Sequence, residues 1–188
     1  GSVEGLGESF EPQLNSGTAS YRVPLNLPGV RGGAPGLALE YNSGYGNGPL
    51  GMGWRINIPF IQRQTDKGLP LYQDDDTFIE WGGEELVPVD AKGVYRCENE
   101  GSFAKFQKLE NGSWQMYQKN GTLLTFGASE NARQERSSGQ TFRWMISSSQ
   151  DTNGNRHDYT YAHDQGQIYI SEIRYGRHTT GASVEYRI

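Results

Sequence analysis

The acidic residues are the first side chains in this sequence that could do chemistry, since carboxylate oxygens bind cations and transfer protons. Asp74, Asp75 and Asp76 are consecutive and follow closely on Asp66, and Ca²⁺ takes about six to eight oxygen ligands. Neighbouring residues of an extended chain point to opposite sides, so three consecutive carboxylates converge poorly on one ion. We therefore interpret this run as a solvated acidic turn rather than a calcium site.

A second acidic segment resembles a calcium-binding loop only in part. Asp151, Asn153 and Asn155 alternate as the ligands of such a loop do, but the glycine follows at the fourth position, where the calcium loop needs it at the sixth. A hairpin turn explains the spacing better than a metal site.

Glu80, Glu84 and Glu85 raise the question of glycosidase chemistry, in which two carboxylates stand about 5 to 9.5 Å apart. Any β protein with 22 acidic residues offers such pairs in its sequence. An enzyme would need these carboxylates to converge, and the spacing alone does not predict that they do.

The histidines and the cysteine form no recognisable metal or nucleophile motif. His157, His163 and His178 lack the close His or Cys companions of a zinc site. Cys97 is the only cysteine, which excludes an internal disulfide, and we expect it to be an inert, partly buried strand residue. The glycines between Gly44 and Gly53 precede a strand pattern rather than a helix, so they do not form a phosphate-binding loop.

Aromatic side chains leave one binding hypothesis open. The 4 tryptophans and 11 tyrosines could stack on sugars, although most fall on the apolar phase of predicted strands, where a place in the core is more common. A self-contained carbohydrate-binding or adhesion module would need an exposed aromatic platform, with Trp81 or Trp114 as candidates. From the residues we predict no catalytic, cofactor-binding or metal-binding side chain.

The elements that would position these residues are strands, because apolar residues recur at every second position and almost nowhere at helical spacing. The sequence thus predicts an all-β fold of short antiparallel strands in hairpins and meanders, forming a curved sheet or sandwich. The alternating sets are Tyr21 to Leu27, Leu37 to Tyr41, Trp54 to Phe60 and Phe142 to Ile146. In the last set we expect Trp144 on the buried face and Met145 on the wet face.

Asn-Gly pairs predict the turns, since this dipeptide suits the two positive φ angles of a type I′ hairpin. They occur at Asn111-Gly112, Asn120-Gly121 and Asn153-Gly154. They divide the chain into a three-stranded meander over Ser102 to Phe126, followed by a long strand pair and by strands at Ile168 to Tyr175 and Ser183 to Ile188. Three irregular segments remain, at 42–53, 66–76 and 129–140, and the last has room for a helical turn.

Composition excludes several classes of function. The chain has 188 residues and a formal charge of −5, which gives no basic surface for nucleic acid. Apolar residues make up 34%, and no run approaches the roughly 18 to 20 apolar residues of a transmembrane segment. Glycine at 26 residues is about twice the usual share and indicates many tight turns.

From Leu6 onwards, phrase after phrase resembles the N-terminal domain of the plasmid-virulence protein B (SpvB) family, which is shared with the B component of insecticidal toxin complexes. The phrases that carry the resemblance are Gly7 to Phe10, Ser16 to Ala19, Val23 to Leu25, Tyr41 to Gly44, Gly46 to Pro49, Gly51 to Trp54, Pro59, Ile61, Arg63, Thr65, Lys67 to Pro70, the Asp cluster, Phe78 and Glu84 to Pro88. Further on, Asp151 to Asn155 with Tyr159 and Tyr161 is similar to the tyrosine-aspartate (YD, or Rhs) repeats of such proteins.

The resemblance implies a non-catalytic structural domain of a bacterial toxin or virulence protein, which contributes to a hollow β shell around a C-terminal toxin. Its partners would be the remainder of the parent toxin polypeptide and a C-type component of a toxin complex. The Arg, Ser-Thr-Ser and Glu-x-Glu elements of the family's separate ADP-ribosylating domain are not recognisable here. The implied location is secreted or extracellular, with a bacterial cytoplasmic stage before export.

We expect residues 1–188 to form one SpvB-like domain that is part of a longer chain. Residues 1–5 would be a lead-in that includes the remnant of a cleaved tag, and about 150–188 would be the repeat-like strands. A strand that stops at Arg187-Ile188 without a polar tail favours a fragment, although a terminal strand tucked into a sheet is the alternative.

Overall fold

The computed structural model of the protein describes residues 9–13, 17–48, 50–73, 75–99, 104–181 and 185–188. These residues form strands and one 3-10 turn, which confirms the predicted all-β class. The strands are β1 (Ser9–Gln13), β2 (Thr18–Pro24), β3 (Ala38–Asn42), β4 (Asn47–Gly48), β5 (Gly51–Met52), β6 (Trp54–Ile56), β7 (Phe60–Arg63), β8 (Phe78–Glu80), β9 (Glu85–Pro88), β10 (Val94–Cys97), β11 (Lys105–Lys108), β12 (Trp114–Tyr117), β13 (Leu123–Phe126), β14 (Arg133–Glu135), β15 (Thr141–Gln150), β16 (Asn155–Asp164), β17 (Gln167–His178) and β18 (Tyr186–Arg187). The 3-10 turn covers Glu130–Ala132 and precedes β14.

The chain divides into two compact units, of which the first contains residues 1–29 and 34–58. Its sheet has the antiparallel order β1-β2-β3-β6, and β4 and β5 form a separate two-stranded ribbon. Tyr21 and Tyr41 pack against Trp54, with ring centroids 6.2 and 5.3 Å away. Gly53 has a φ of +82°, and a side chain there would collide with the Tyr41 ring, so the Gly-Trp pair needs its glycine.

The second unit contains residues 30–33 and 59–188 and is built around a closed sheet. Strands β7 to β13 pair with their neighbours in sequence order, and β15 pairs with both β7 and β13. These eight strands form a closed ring, so neither β7 nor β13 is left as a free edge there.

Strand β15 is ten residues long and pairs with four strands. Residues near its start pair with β7 and β14, and residues near its end pair with β13 and β16. The sheet then runs outward from the ring through β16, β17 and β18. β15 is therefore shared between the ring and an outer sheet.

Aromatic side chains fill the interior of the ring. Phe78 of β8 and Trp114 of β12 lie on strands well separated around the ring, yet their ring centroids are 5.0 Å apart. Trp144 of β15 stands 5.8 and 6.0 Å from these two rings, and Tyr95 is 5.1 Å from Trp114. Because side chains from opposite walls touch, the ring encloses a packed core.

The Asn-Gly turns occur where predicted, but their type is not the predicted I′. Gly112, Gly121 and Gly154 have φ between +82° and +85°, whereas the asparagines before them do not have positive φ. In each turn the glycine N–H donates to the carbonyl three residues earlier, as in Gly112 to Leu109 at 3.0 Å. This is a type I turn followed by a left-handed glycine, the usual three-residue hairpin loop. In two of the three turns the asparagine side chain supports this form, since Asn111 Oδ1 accepts a hydrogen bond from Ser113 N and Asn120 Oδ1 accepts one from Thr122 N.

Other departures from the predicted strands have local causes. The expected strand Trp54 to Phe60 is interrupted after Ile56, where the Asn57 amide bonds Ala38 N and Gly36 O and Pro59 has no N–H to donate. Met145 is buried rather than wet, and the 3-10 turn packs against the strand that carries it. Strands β8, β9 and β10 were not predicted, since no Asn-Gly pair marks the turns between them. Phe103, and the predicted strand residues before Glu185, lie outside the described residues.

Candidate functional site

The structure gives the predicted acidic turn a structural role through Asp76. Its Oδ2 accepts hydrogen bonds from Arg63 Nη1 at 2.9 Å and from Tyr72 N at 2.7 Å, and its Oδ1 accepts one from Leu71 N at 3.0 Å. Burial of the carboxyl raises its pKa, but these hydrogen bonds and the charge of Arg63 outweigh burial and leave the pKa below the ordinary value. Asp75 is exposed, and Asp74 lies outside the described residues.

Arg63 is the residue that sequence reasoning missed. Its side chain is almost fully buried, Nε donates to Thr141 O at 2.8 Å, and its guanidinium lies 5.0 Å from the Tyr72 ring centroid. The alternation of buried and exposed side chains along β7 could have indicated this burial, because Arg63 lies two residues after the buried Ile61 and on the same face of the strand. The pair Arg63–Asp76 fastens the long β7–β8 loop to the ring.

The three histidines lie apart and each contacts a different backbone carbonyl. His157 Nε2 lies 3.1 Å from Gly33 O, His163 Nε2 lies 2.7 Å from Asn131 O, and His178 Nε2 contacts Asn153 O. Each ring thereby holds a neighbouring turn in place. Within the described ranges, no three His, Cys, Asp or Glu side chains are grouped so that they could hold a metal ion.

The glutamates of the β8–β9 hairpin are also engaged locally. Glu80 Oε1 accepts a hydrogen bond from Glu84 N at 2.9 Å and so closes the turn. Glu84 Oε2 is buried and accepts no hydrogen bond within the described structure. The alternative hypothesis of an enzyme needed a convergent set of free carboxylates, and Glu80 is committed to the backbone instead.

The two candidate tryptophans of a sugar platform do not form one. Trp114 has no exposed surface, so its proposed place on a platform is wrong. Trp81 is half-buried and packs on Phe126 with centroids 6.1 Å apart. Cys97 is half-buried, as expected.

The outer sheet carries a network of ion pairs that the sequence did not predict. Glu185 contacts Arg174 Nη2 at 2.7 Å, Arg187 Nε at 3.3 Å and Arg177 Nε at 3.4 Å. Arg177 Nη1 also contacts Asp158 at 2.9 Å. The hydrogen bond from Arg174 is the main reason that the pKa of Glu185 is lowered. The network joins β16, β17 and β18.

Part of β17 is paired on one side only within the described ranges. It pairs with β16 along its length, while β18 covers only the part around Ile173 to Tyr175. Among the described residues, no strand pairs with Gln167 to Glu172 on the side away from β16. Such an edge can accept a further strand.

These features define a class of protein: an all-β domain with a filled closed sheet from which outer strands extend. A family model described as "Salmonella virulence plasmid 65kDa B protein", SpvB, matches residues 13–105 and 94–183. The chain belongs to this family, as the sequence resemblance predicted.

Relatives and solved structures agree with this assignment. The chain is 29% identical to the mono(ADP-ribosyl)transferase SpvB of Salmonella typhimurium, aligning over 95% of this chain but only 38% of that protein. It matches the structure of the Photorhabdus luminescens Tc holotoxin pore with a TM-score of 0.84 and 29% identity, covering 98% of this chain and 10% of that one. The N-terminal domain of effector protein SpvB from Salmonella typhimurium strain LT2 matches with a TM-score of 0.74 and 28% identity, over 86% of this chain and 65% of that domain. The relatives are thus virulence and toxin proteins. In this chain, no helix among the described residues is long and apolar enough to span a membrane.

Proposed function

We propose that this chain is a structural, non-catalytic wall domain of a larger bacterial toxin or virulence polypeptide. In that polypeptide it contributes to an Rhs- or toxin-complex-type β shell that encloses or presents a C-terminal toxin. The observation that carries the proposal is the match to the Tc holotoxin, in which 98% of this chain corresponds to 10% of a much longer chain.

The arrangement of strands supports a role as wall rather than as container. The interior of the eight-strand ring is occupied by Phe78, Trp114 and Trp144, so it offers no room for cargo. The outer strands instead run away from the ring, and the described residues leave one side of Gln167 to Glu172 unpaired. A shell grows when the next strip of sheet pairs with such an edge, which buries its free N–H and C=O groups.

The non-catalytic part of the proposal rests on how the titratable groups are used. Asp76 and Glu80 accept backbone hydrogen bonds, and the three histidines contact backbone carbonyls. The relatives are named as ADP-ribosyltransferases, and this chain corresponds to 38% of their length. We propose that this activity belongs to their remaining length and is not a property of this chain.

The partners follow from the same proposal. They are the remainder of the parent toxin polypeptide and a C-type component of a toxin complex, and the location is secreted or extracellular after synthesis in the bacterial cytoplasm. We further propose that residues 1–188 constitute one family domain, with residues 1–5 as lead-in and about 150–188 as repeat-like strands.

Light scattering after size exclusion tests the proposal, with residues 1–188 compared alone and within the longer parent polypeptide. We expect association that depends on concentration for the isolated chain and its disappearance in the longer polypeptide.

Amide hydrogen exchange sharpens the test, because residues 167–172 should become protected in the longer polypeptide. Residues 114–117 of the ring, which are paired on both sides, serve as the control and should be protected in both.

A monodisperse monomer with unchanged exchange at residues 167–172 would contradict the wall role and favour an autonomous module. Glycan screening would then follow, since a carbohydrate-binding module was the alternative that the sequence left open.

A further inference from the structure

The outer face of the closed ring carries a row of side chains across β9 to β13, which we call the outer row. Val87 lies opposite Arg96, Lys105 lies opposite Tyr117, and Tyr117 lies opposite Leu123. The antiparallel register of β10 and β11 places Arg96 beside Lys105. The outer row thus crosses five neighbouring strands in one line.

The outer row points away from the interior of the ring and is accessible. Its members alternate along the strands with residues that are buried in the ring, such as Leu86 and Met116. Arg96 is exposed, and Val87 and Tyr117 are 41% and 42% exposed. Two apolar side chains therefore flank the two cations, whose aliphatic stems add to the apolar surface. Tyrosine and arginine are also residue types that are enriched at protein interfaces.

The two cations of the outer row have no counter-charge among the described residues. Like charges that face each other across an antiparallel pair of strands are destabilising. No carboxylate of the described ranges lies within ion-pair distance of Arg96 or Lys105. The arginines of the outer sheet, Arg156, Arg174 and Arg187, each contact a carboxylate instead. The uncompensated pair, in a chain with a formal charge of −5, favours an anionic group that another segment provides.

The outer row is ordered before a partner arrives. Strands β10, β11 and β12 are each paired on both sides. Lys105 Nζ lies 5.8 Å from the centroid of the Tyr117 ring, and the Tyr117 hydroxyl donates to Gln115 Oε1 at 2.9 Å. A surface whose side chains are already in place loses less conformational entropy when it binds.

From this we propose that the outer row binds an acidic segment of the parent polypeptide outside residues 1–188, an inference that rests on the proposed wall function. The segment brings a carboxylate to Arg96 and Lys105 and apolar side chains to Val87 and Tyr117. Because 98% of this chain corresponds to 10% of the Tc holotoxin chain, a segment of the same polypeptide would be present at a high effective concentration. Nucleic acid and anionic membranes fit less well, since both are bound by larger clusters of cations.

Acetylation of lysines with N-hydroxysuccinimidyl acetate, measured for each lysine by mass spectrometry, tests this proposal. The rates are compared between residues 1–188 alone and the longer parent polypeptide. We expect Lys105 to react at least about fivefold more slowly in the longer polypeptide, as it would if the interface were closed about four-fifths of the time. Lys67, which is exposed on the β7–β8 loop, is the control and should change by less than about twofold. An unchanged rate at Lys105, or equal slowing of Lys105 and Lys67, would overturn the proposal.

A charge variant shows whether the cations of the outer row hold the segment. Arg96→Gln should raise the acetylation rate of Lys105 in the longer polypeptide by at least about threefold. In residues 1–188 alone it should leave the melting temperature within about 2 °C or raise it, because it relieves the repulsion between like charges. Arg136→Gln removes the same charge at an exposed position outside the outer row and should leave the Lys105 rate within about twofold. Equal effects of the two variants on Lys105 would refute the site.

Two further outcomes separate this inference from its alternatives. Protection of residues 167–172 in the longer polypeptide, with an unchanged rate at Lys105, would refute the outer row as an interface and leave the wall role standing. No change at either place would refute both. Phosphatidylserine vesicles or duplex DNA, added to residues 1–188, should leave the Lys105 rate unchanged. Slowing by either to the extent seen in the longer polypeptide would show a phosphate ligand and overturn the proposal.

Discussion

Replacement of Arg63 by methionine should destabilise the second unit strongly, because it removes the fastening of the β7–β8 loop. Methionine retains the length and apolar stem of the side chain while it removes every donor. The variant loses the Asp76 contact at 2.9 Å and the hydrogen bond to Thr141 O at 2.8 Å. Tyr72, which the structure holds at a φ of +59°, loses the guanidinium beneath its ring.

The expected magnitude follows from the burial of the pair. Breaking a buried ion pair by removal of one partner costs about 3 to 5 kcal/mol. Here the side chains of Arg63 and Asp76 are 10% and 11% exposed, and Asp76 keeps its two backbone donors. We therefore expect the lower end, about 3 kcal/mol. At about 2 to 4 °C per kcal/mol, the melting temperature should fall by about 6 to 12 °C.

Thermal unfolding followed by near-ultraviolet circular dichroism measures this loss, since the ring interior is aromatic. Arg96→Met is the matched control, because Arg96 is exposed on β10 of the same sheet and should change stability by less than about 0.5 kcal/mol. A melting temperature of Arg63→Met within about 2 °C of the unsubstituted protein would refute the view that the pair holds the loop.

The same pair predicts a pH dependence. Burial opposes the charge of Asp76, but the hydrogen bonds from Leu71, Tyr72 and Arg63 prevail, and the pKa in the folded state lies below the ordinary value. The stabilisation is therefore complete above the unfolded pKa of about 3.9 and is lost as the pH falls through the folded value. Unfolding in urea between pH 5 and 2 should show this loss, and Asp76→Asn should remove it.

Three further predictions concern the ring and the outer sheet. Gly127 has a φ of +59° and a side chain there would collide with Trp144, so Gly127→Ala should cost about 2 kcal/mol more in urea unfolding than Gly139→Ala, which has a φ of +79° and open space. Burial, and then the charge of Asp158, raises the pKa of Tyr159 to about 12. The stability that the neutral Tyr159 hydroxyl provides is therefore complete below about pH 10 and is lost as the pH rises to about 12. Ultraviolet titration of the protein and of Tyr159→Phe will detect or disprove this raised pKa. Glu185→Gln should speed hydrogen exchange at the paired residues Ile173 and Ile188, whereas Glu172→Gln, which loses a single contact at 3.9 Å, should not.

Sequence alone predicted the class of fold because strand periodicity and Asn-Gly turns are local signals. The meander β11 to β13 follows from two turns, each encoded by adjacent residues. Closure of the ring was not predictable in this way, since Arg143 pairs with Gln62 at a separation of 81 residues. No local pattern distinguishes such a pairing from an open curved sheet.

The hydrogen bonds that tie the 3-10 turn to β16 were equally hidden from the sequence. Asn131 and Tyr161 are separated by 30 residues, and only the fold brings the amide of one to the backbone of the other.

The turn type was mispredicted for a different reason. Asn-Gly suits two hairpin loops, and the dipeptide alone does not decide between them. Asn111 and Asn120 accept a hydrogen bond from the second residue after them, whereas in the third turn Asp151 Oδ1 accepts one from Asn153 N.

The position of β15 in the ring determines when the sheet can close. The residues of β15 that pair with β7 are synthesised 81 residues after β7, a delay of roughly 4 to 16 s at about 5 to 20 residues per second. Until then β7 and β13 both have unpaired edges, and long-range pairing of this kind slows folding. A nascent chain in this state is the form most exposed to aggregation and most accessible to chaperones.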